Sequence, residues 1–244
     1  MKKHIIIGNP VSHSLSPKIH NYWFKTHGVN GEYEKNETNE KEIRQLLKQI
    51  KDGEIYGMNV TVPFKQSVIP FLETQSELVK KTNSVNTIYN KNGKIHGENT
   101  DVYGFEKSII KNEINIKDKT VLIFGSGGVV PSIISALQQL AVKKIYISNR
   151  TYKNAEIIKK KFNFIDIIEW GKIINCDLLI NSTSVGLKKN DKFEINFNKL
   201  SGRKIFYDVI YNPVRTEFLL EAEKSGHEII NGRDMFLSQA QKAF

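Results

Sequence analysis

The stretch NVTVPFK, residues 59–65, alternates Asn59 and Thr61 with Val60 and Val62, so an extended backbone there presents one polar face. Pro63 suits the first position of a helix, which would place Lys65 in the first helical turn. A cation at that place opposes the helix dipole by about 0.3–1 kcal/mol, and the dipole favours the neutral amine that proton exchange needs. In so lysine-rich a chain, an ordinary surface lysine is an equal alternative. Further along, GENTD at residues 97–101 supplies Asn99, Thr100 and Asp101. Taken alone, Asp101 reads more readily as a helix N-cap. Facing Lys65, it would complete a charged pair able to orient and hold a proton for general acid–base chemistry. Asn86, in SVNT, adds an uncharged group able to bind a hydroxyl.

A second polar cluster follows the apolar run HIII. In GNPVSHSLSPKIHN, residues 8–21, Ser12, Ser14 and Ser16 stand two apart. Alternate residues of an extended segment point the same way, so Ser14 and Ser16 can face one polar ligand. Ser16 can also cap a helix started by Pro17. His13 and His20 read as rim or packing residues. Ligands of open α/β sheets lie beyond the carboxyl ends of the strands, which is where these serines fall.

The elements that must carry these residues show two rhythms. In the first half, strands are expected at 3–8, 31–36 and 56–62, with a helix from residue 16 or 17 to about 26. Ile43, Leu46, Leu47 and Ile50 are spaced as one face of an amphipathic helix within 39–51. Residues 85–99 read as a hairpin with Asn92-Gly93 at its turn. This pattern predicts a mainly parallel sheet with an antiparallel edge. From about Asp101 a cleaner βα alternation begins, with strands expected at 120–124, 143–148, 177–181 and 204–209, and further ones at 164–168 and 227–230. There is no internal repeat or flexible linker. The boundary near residue 100 is placed by the change of rhythm, and the helix after Asp101 is the candidate hinge.

TVLIFGSGGVVPSIISALQQL, residues 120–140, is a strand, a glycine turn and a helix. Gly125 permits the tight turn, Gly127 lets backbone approach a pyrophosphate, and Gly128 adds freedom where the helix begins. The helix N-terminus offers free N–H groups and partial positive charge to phosphates. Val130 stands where glycine or alanine is usual, which predicts a slightly wider gap between strand and helix. The next strand ends in NRTYKN, residues 149–154. An NAD site would carry an acidic residue there for the ribose 2′-hydroxyl. Arg150, with Asn149, Thr151 and Lys153, instead suits a 2′-phosphate, because a guanidinium binds phosphate through two parallel hydrogen bonds. The expected cofactor is NADP(H).

The chain has 244 residues, 39% of them hydrophobic and 25% charged, as for an ordinary soluble protein. No apolar run reaches the ~20 residues of a membrane span. The opening MKKHIIIGNP turns polar too soon for a secretory signal. The single cysteine, Cys176, excludes an internal disulfide and any multi-cysteine metal centre, so no metal is expected and a reducing, cytoplasmic setting is. The net charge of +10 is spread along the chain, which argues against a dedicated nucleic-acid surface and leaves a general attraction for small anions.

NPVSHSLSPKIHN, NVTVPFK, SVNT, GENTD, the glycine turn, NRT, NSTSVG, YDVIY and GRDMFLSQAQKAF occur in this order along nearly the whole chain, which resembles the shikimate dehydrogenases. The resemblance implies an α/β substrate domain over residues 1–100, a Rossmann-type NADP domain over 101–232, and a last helix, about 233–244, returning to the first. It implies that Ser14 and Ser16 meet the shikimate carboxylate, with Tyr211 assisting. Asn59, Thr61, Asn86 and Gln239 would surround the ring hydroxyls beside a catalytic pair, Lys65 and Asp101. Gly125, Ser126, Gly127, Gly128 and Val129 would line the cofactor. So would Asn149, Arg150, Thr151, Lys153, Asn154, Thr183, Val209 and Gly232. Asn154 stands where a second phosphate-binding arginine is common in the family. The implied reaction is reversible reduction of 3-dehydroshikimate by NADPH in aromatic amino-acid biosynthesis. The implied assembly is a monomer or homodimer acting on a small-molecule substrate. Broader quinate/shikimate specificity and a non-catalytic NADP sensor on the same scaffold are the alternatives.

Overall fold

The computed structural model describes residues 1–188, 191–193, 197 and 200–244. Two units divide the chain, one of Met1–Val102 with Gln239–Phe244, the other of Tyr103–Ser238.

The first unit holds β1 (Lys2–Gly8), α1 (Ser16–Thr26), β2 (Gly31–Glu37), α2 (Glu40–Lys51), β3 (Gly57–Val60), β4 (Thr74–Gln75), α3 (Glu77–Thr82), β5 (Thr87–Lys91) and β6 (Lys94–Glu98). Its sheet runs β2-β1-β3-β5-β6-β4. β1 lies parallel to β2 and β3, whereas β5 is antiparallel to β3 and β6. The α2 helix forms because its apolar face is periodic and its start is doubly capped. The Asn39 side chain accepts from the Lys41 N–H, and the Glu42 carboxylate accepts from the Asn39 N–H. Ile43, Leu46, Leu47 and Ile50 then pack on Ile5, Ile7, Met58, Val60 and Ile88. A smaller core of Ile6, Val11, Phe24 and Tyr33 lies under α1. The β5–β6 turn has Asn92 at φ 53° and Gly93 at φ 78°, as a tight hairpin requires.

Helix α4 (Asp101–Lys111) opens in the first unit and continues into the second, which adds β7 (Thr120–Phe124), α5 (Val130–Gln139), β8 (Lys144–Ser148), α6 (Tyr152–Lys161), β9 (Asp166–Ile168), β10 (Leu178–Asn181), β11 (Ile205–Asp208), α7 (Glu217–Lys224) and β12 (Glu228–Ile230). The sheet runs β12-β11-β10-β7-β8-β9 with every pair parallel. The strand order reverses direction at β7 and β10, the switch point at which doubly wound sheets hold their ligands. Helix α8 (Arg233–Ala243) closes the chain.

One expected element is absent. Pro63 does not open a helix. Residues 62–68 form successive turns, followed by a 3-10 turn at Ile69–Phe71. The Lys65 carbonyl accepts from the Val85 N–H (2.8 Å), while the Ile69 N–H that a helix would direct to it goes to Gln66 (3.1 Å). A tertiary bond therefore diverts the helical ladder, and the dipole expected at Lys65 is not present. Helix α3 and the two-residue β4 were not expected from the pattern, being shorter than either periodicity can signal.

Candidate active site

Lys65 and Asp101 meet in the first unit, Nζ to Oδ2 at 2.6 Å, with 11% and 7% of their side chains exposed. Asp101 is free to do this because Asn99 does the capping. The Asn99 Oδ1 accepts from the N–H groups of Asp101 (3.0 Å) and Val102 (3.3 Å), at the first turn of α4. Its own amide is fixed by donation to Thr82 Oγ1 (3.0 Å) and the Ser84 carbonyl (2.9 Å). The N-cap reading thus passes from Asp101 to Asn99.

Asn86 ties the pair to its surroundings. Its Nδ2 donates to Asp101 Oδ1 (3.0 Å), Thr100 Oγ1 (2.8 Å) and Gln239 Oε1 (3.3 Å). Its Oδ1 accepts from the Thr100 N–H (2.8 Å) and from Thr87 Oγ1 (3.2 Å). Lys65, Asp101, Asn86, Thr100 and Gln239 are thereby one connected set. Asn59 lies one layer further out. Its Nδ2 donates to the Asn86 carbonyl (2.9 Å) and Thr87 Oγ1 (3.0 Å), and its Oδ1 accepts from the Tyr33 hydroxyl (2.6 Å). Thr61 is half-buried just beyond β3, its N–H donating to the Ile7 carbonyl (2.9 Å).

Ser14 and Ser16 are both buried, at 6% exposure. The backbone between them is not extended. The Ser14 N–H donates to Val11 in a turn (3.1 Å), and Ser16 begins α1. The premise of alternating faces therefore fails. Ser16 is not the cap either: it is the first residue of α1, whose cap position is Leu15, and its N–H donates to Ser14 Oγ (3.2 Å). What links the serines to the rest is Tyr33, which sequence reasoning missed. Burial pushes its phenol well above the usual range, opposed by a hydrogen bond with Ser16, and the same hydroxyl reaches Asn59. Its signal was slight, a lone large aromatic in the alternating strand GEYEKN. His20 stacks on Tyr33 (4.4 Å, 13°), and burial lowers its pKa to about 4, which makes it a neutral packing residue. His13 is exposed. Tyr211 belongs to the second unit, stacked on Phe236 (4.4 Å).

In the second unit, Gly125 has φ +110°, and a Cβ there would lie 2.8 Å from Ser182 Oγ, so only glycine fits the turn. A Cβ on Gly127 would meet nothing within 4 Å, leaving its backbone open to approach. Ser126, Gly128 and Val129 complete the turn, and α5 starts at the fully buried Val130. The segment that follows β8, residues 149–154, holds no acidic residue. Asn149 Nδ2 donates to the Thr151 carbonyl (2.8 Å), and Thr151 accepts from the Asn154 N–H (3.0 Å), shaping the loop before α6. Lys144 and Lys159 are both neutralised by Asp166, at 2.6 and 2.9 Å. Among the described residues neither Arg150 nor Lys153 forms an ion pair, and both are exposed. An open glycine backbone, a helix N-terminus and two unneutralised cations suit a dinucleotide carrying an extra phosphate.

Thr183, Val209 and Gly232 sit at the carboxyl ends of β10, β11 and β12. Gly232 is forced by packing, because a Cβ would fall 2.1 Å from the Val209 carbonyl oxygen. Thr183 is held by Asn181, which in turn is bonded to Asp208, and neither of those two was foreseen.

A Rossmann unit with a glycine turn and free cations, in one chain with a buried lysine–aspartate pair, defines an NADP-linked dehydrogenase. The sequence matches the family models described as the shikimate dehydrogenase substrate binding domain, over residues 6–88, and shikimate/quinate 5-dehydrogenase, over residues 107–208. It is 52% identical over 243 residues to a shikimate dehydrogenase (NADP(+)) of Pelagibacter ubique, covering 100% of this chain and 92% of that one. With the enzyme of the same name from Caldicellulosiruptor saccharolyticus it shares 37% over 253 residues, covering 100% and 91%. The fold matches the Thermus thermophilus shikimate 5-dehydrogenase solved with NADP(H) and shikimate, at TM-score 0.91 and 28% identity, covering 100% and 92%. The Aquifex aeolicus shikimate dehydrogenase matches at TM-score 0.90 and 32% identity, covering 100% and 91%. The chain belongs to the shikimate dehydrogenase family.

Proposed function

We propose that the chain catalyses the reversible NADPH-dependent reduction of 3-dehydroshikimate to shikimate, a step of aromatic amino-acid biosynthesis. The observation that carries this is the buried 2.6 Å contact of Lys65 with Asp101, braced by Asn86. Lys65 donates a proton to the C3 oxygen as the carbonyl becomes an alkoxide, and takes it back in the reverse direction. Asp101 orients the ammonium and accepts from a neighbouring ring hydroxyl. Asn59, Thr61, Asn86 and Gln239 hold the ring hydroxyls. Ser14 and Ser16 donate to the substrate carboxylate, with Tyr211 assisting.

Gly125, Ser126, Gly127, Gly128 and Val129, with the first turn of α5, hold the pyrophosphate. Arg150 binds the 2′-phosphate with Asn149, Thr151, Lys153 and Asn154. Thr183, Val209 and Gly232 line the rest of the cofactor site. Bound NADPH supplies the hydride to the carbonyl carbon. The functional domains follow the residue spans 1–100 and 101–232, with 233–244 serving the first. The setting is the cytoplasm, and the assembly is a monomer or homodimer. Among the described residues no helix is long and apolar enough to cross a membrane.

Absorbance at the NADPH band, with shikimate and either NADP or NAD, tests the reading. NADP-linked turnover with shikimate, and little with NAD or quinate, is the expected result. No turnover with any pair would remove it, and equal use of NAD and quinate would replace it with the broader quinate/shikimate activity.

A further inference from the structure

Asn181 and Asp208 end the adjacent parallel strands β10 and β11 and stand directly opposite each other in register. Both are 0% exposed. Asn181 Nδ2 lies 3.0 and 3.1 Å from the two Asp208 oxygens. Asp208 Oδ1 also accepts from the Ile210 N–H (2.9 Å), and Oδ2 from Thr216 Oγ1 (2.6 Å). Asp208 is in no ion pair among the described residues, so neutral donors alone hold this carboxylate. Thr216 uses its hydroxyl here rather than to cap α7, which it precedes.

From this pair the order spreads into three segments. Asn181 Oδ1 accepts from the Thr183 N–H (3.0 Å) and hydroxyl (2.7 Å), and its Nδ2 also donates to the Val185 carbonyl (3.0 Å). Asp208 fixes the turn at Ile210, and the Val209 N–H donates to the Asn181 carbonyl (3.0 Å). Gly232 packs on the Val209 carbonyl and donates to the Ile210 carbonyl (3.1 Å). A Cβ on Gly186 would lie 3.0 Å from Thr216, so the loops after β10 and β11 also touch. The segments so fixed carry Thr183, Val209 and Gly232.

We infer that Asp208 and Asn181 are a positioning pair that sets the affinity for the dinucleotide by holding these loops, without touching substrate or taking part in proton transfer. The inference rests on the proposed NADP reading of the second unit. Every acceptor site of Asp208 faces a donor. An amide at 208 therefore sets a donor against a donor in either orientation, and a buried mismatch of that kind is costly.

The test is NADPH binding, by direct titration and by steady-state KM, in wild type, Asp208→Asn, the exchange Asn181→Asp/Asp208→Asn, and Thr216→Val. Asp208→Asn is expected to weaken NADPH by roughly 10- to 100-fold, with kcat at saturating cofactor and KM for shikimate within about threefold of wild type. The exchange restores a donor facing an acceptor between the two side chains, with the new amide oxygen on the Ile210 N–H and its nitrogen on Thr216 Oγ1, but it leaves the Thr216 hydroxyl proton and the Val185 carbonyl without their partners, so it recovers part of the loss. Thr216→Val gives a smaller loss in the same direction. Wild-type affinity in folded Asp208→Asn overturns the inference, as does a loss confined to kcat or to the acid. If Asp208→Asn does not fold, Thr216→Val decides by the same criteria. Wild-type protein that fails to bind NADPH would instead refute the cofactor reading itself.

Discussion

The two units each bury an aspartate where a strand end meets the next element, and they treat the charge in opposite ways. In the first unit Asp101 faces the Lys65 ammonium at 2.6 Å. In the second, Asp208 is surrounded by an amide, a hydroxyl and a backbone N–H, and burial pushes its carboxyl up to about 6. Removing a charge from water costs several kcal/mol unless a partner compensates it. An ion pair that keeps its cation can pass a proton to a substrate oxygen. Asp208 is fully buried with both oxygens taken by neutral donors of its own chain, which suits it to fixing backbone.

The widest separation between the two should come from Lys65→Ala. It removes the proposed proton donor, and kcat is expected to fall by roughly 10²–10⁴ with KM for shikimate changed only a few-fold. Steady-state kinetics in both directions check this. A comparable loss in KM alone would make Lys65 a binding residue and remove the contrast with Asp208. Next in size is Arg150→Ala. Loss of the proposed charge-assisted bond to the 2′-phosphate is expected to raise KM for NADPH about 10- to 100-fold while leaving any use of NADH unchanged. The ratio of kcat/KM for the two cofactors measures it, and equal losses with both would place Arg150 outside the phosphate site.

A smaller effect concerns Asn99, which leaves Asp101 free by capping α4 in its place. Asn99→Ala is expected to cost about 0.5–2 kcal/mol of stability through the lost cap. It should also lower kcat by up to about tenfold, because the carboxylate loses its fixed backbone. Asn99→Ser retains a capping oxygen and should recover kcat more fully than stability, since its hydroxyl cannot replace both bonds to Thr82 and Ser84. Chemical denaturation and kcat on the same samples separate the two.

How far these contrasts could be read beforehand depends on the range of the interactions that make them. The α2 face, the Asn92-Gly93 hairpin and the β7–α5 turn are local, and periodicity or turn chemistry over a few residues foretells them. The turns at 62–68 are not local. Local preference favours a helix after Pro63, and a bond from Val85, twenty residues on, overrides it. Sequence reasoning assigns the cap to Asp101 rather than Asn99 because the two are equally good capping residues by type, and only the Thr82 and Ser84 contacts select between them. Asp208 and Asn181 lie 27 residues apart and meet only because β10 and β11 are neighbours in register. No spacing rule announces such a pair, although YDVIY and NSTSVG were both singled out as family motifs. Tyr33 escaped for the same reason, since its value lies in joining Ser16 to Asn59.

The smallest predicted effect is the one that sets the units most directly against each other. His20 in the first unit is held near pKa 4 by burial, below its ordinary 6.5, so the folded form binds its proton less readily than the unfolded chain. Its contribution to stability is complete above 6.5 and is lost as the pH falls toward 4. Asp208 in the second unit has the reverse sign. Its carboxyl is raised from 3.8 to about 6, so its contribution is complete below 3.8 and is lost as the pH rises through 6. Going from pH 7 to pH 5 should therefore weaken the first unit and strengthen the second, each by about 1–2 kcal/mol from these groups alone. The chain has two tryptophans, Trp23 in one unit and Trp170 in the other. Trp170→Phe leaves fluorescence reporting the first unit, and Trp23→Phe the second. Urea unfolding of each at pH 5 and pH 7, with and without His20→Phe or Asp208→Asn, isolates the two contributions, because all other titrating groups cancel in the difference. Removing His20 should flatten the acid loss seen by Trp23, and removing Asp208 should abolish the acid gain seen by Trp170. Isolated contributions of the same sign from both reporters would mean that the units unfold as one, or that the buried carboxylate is not held by neutral donors alone.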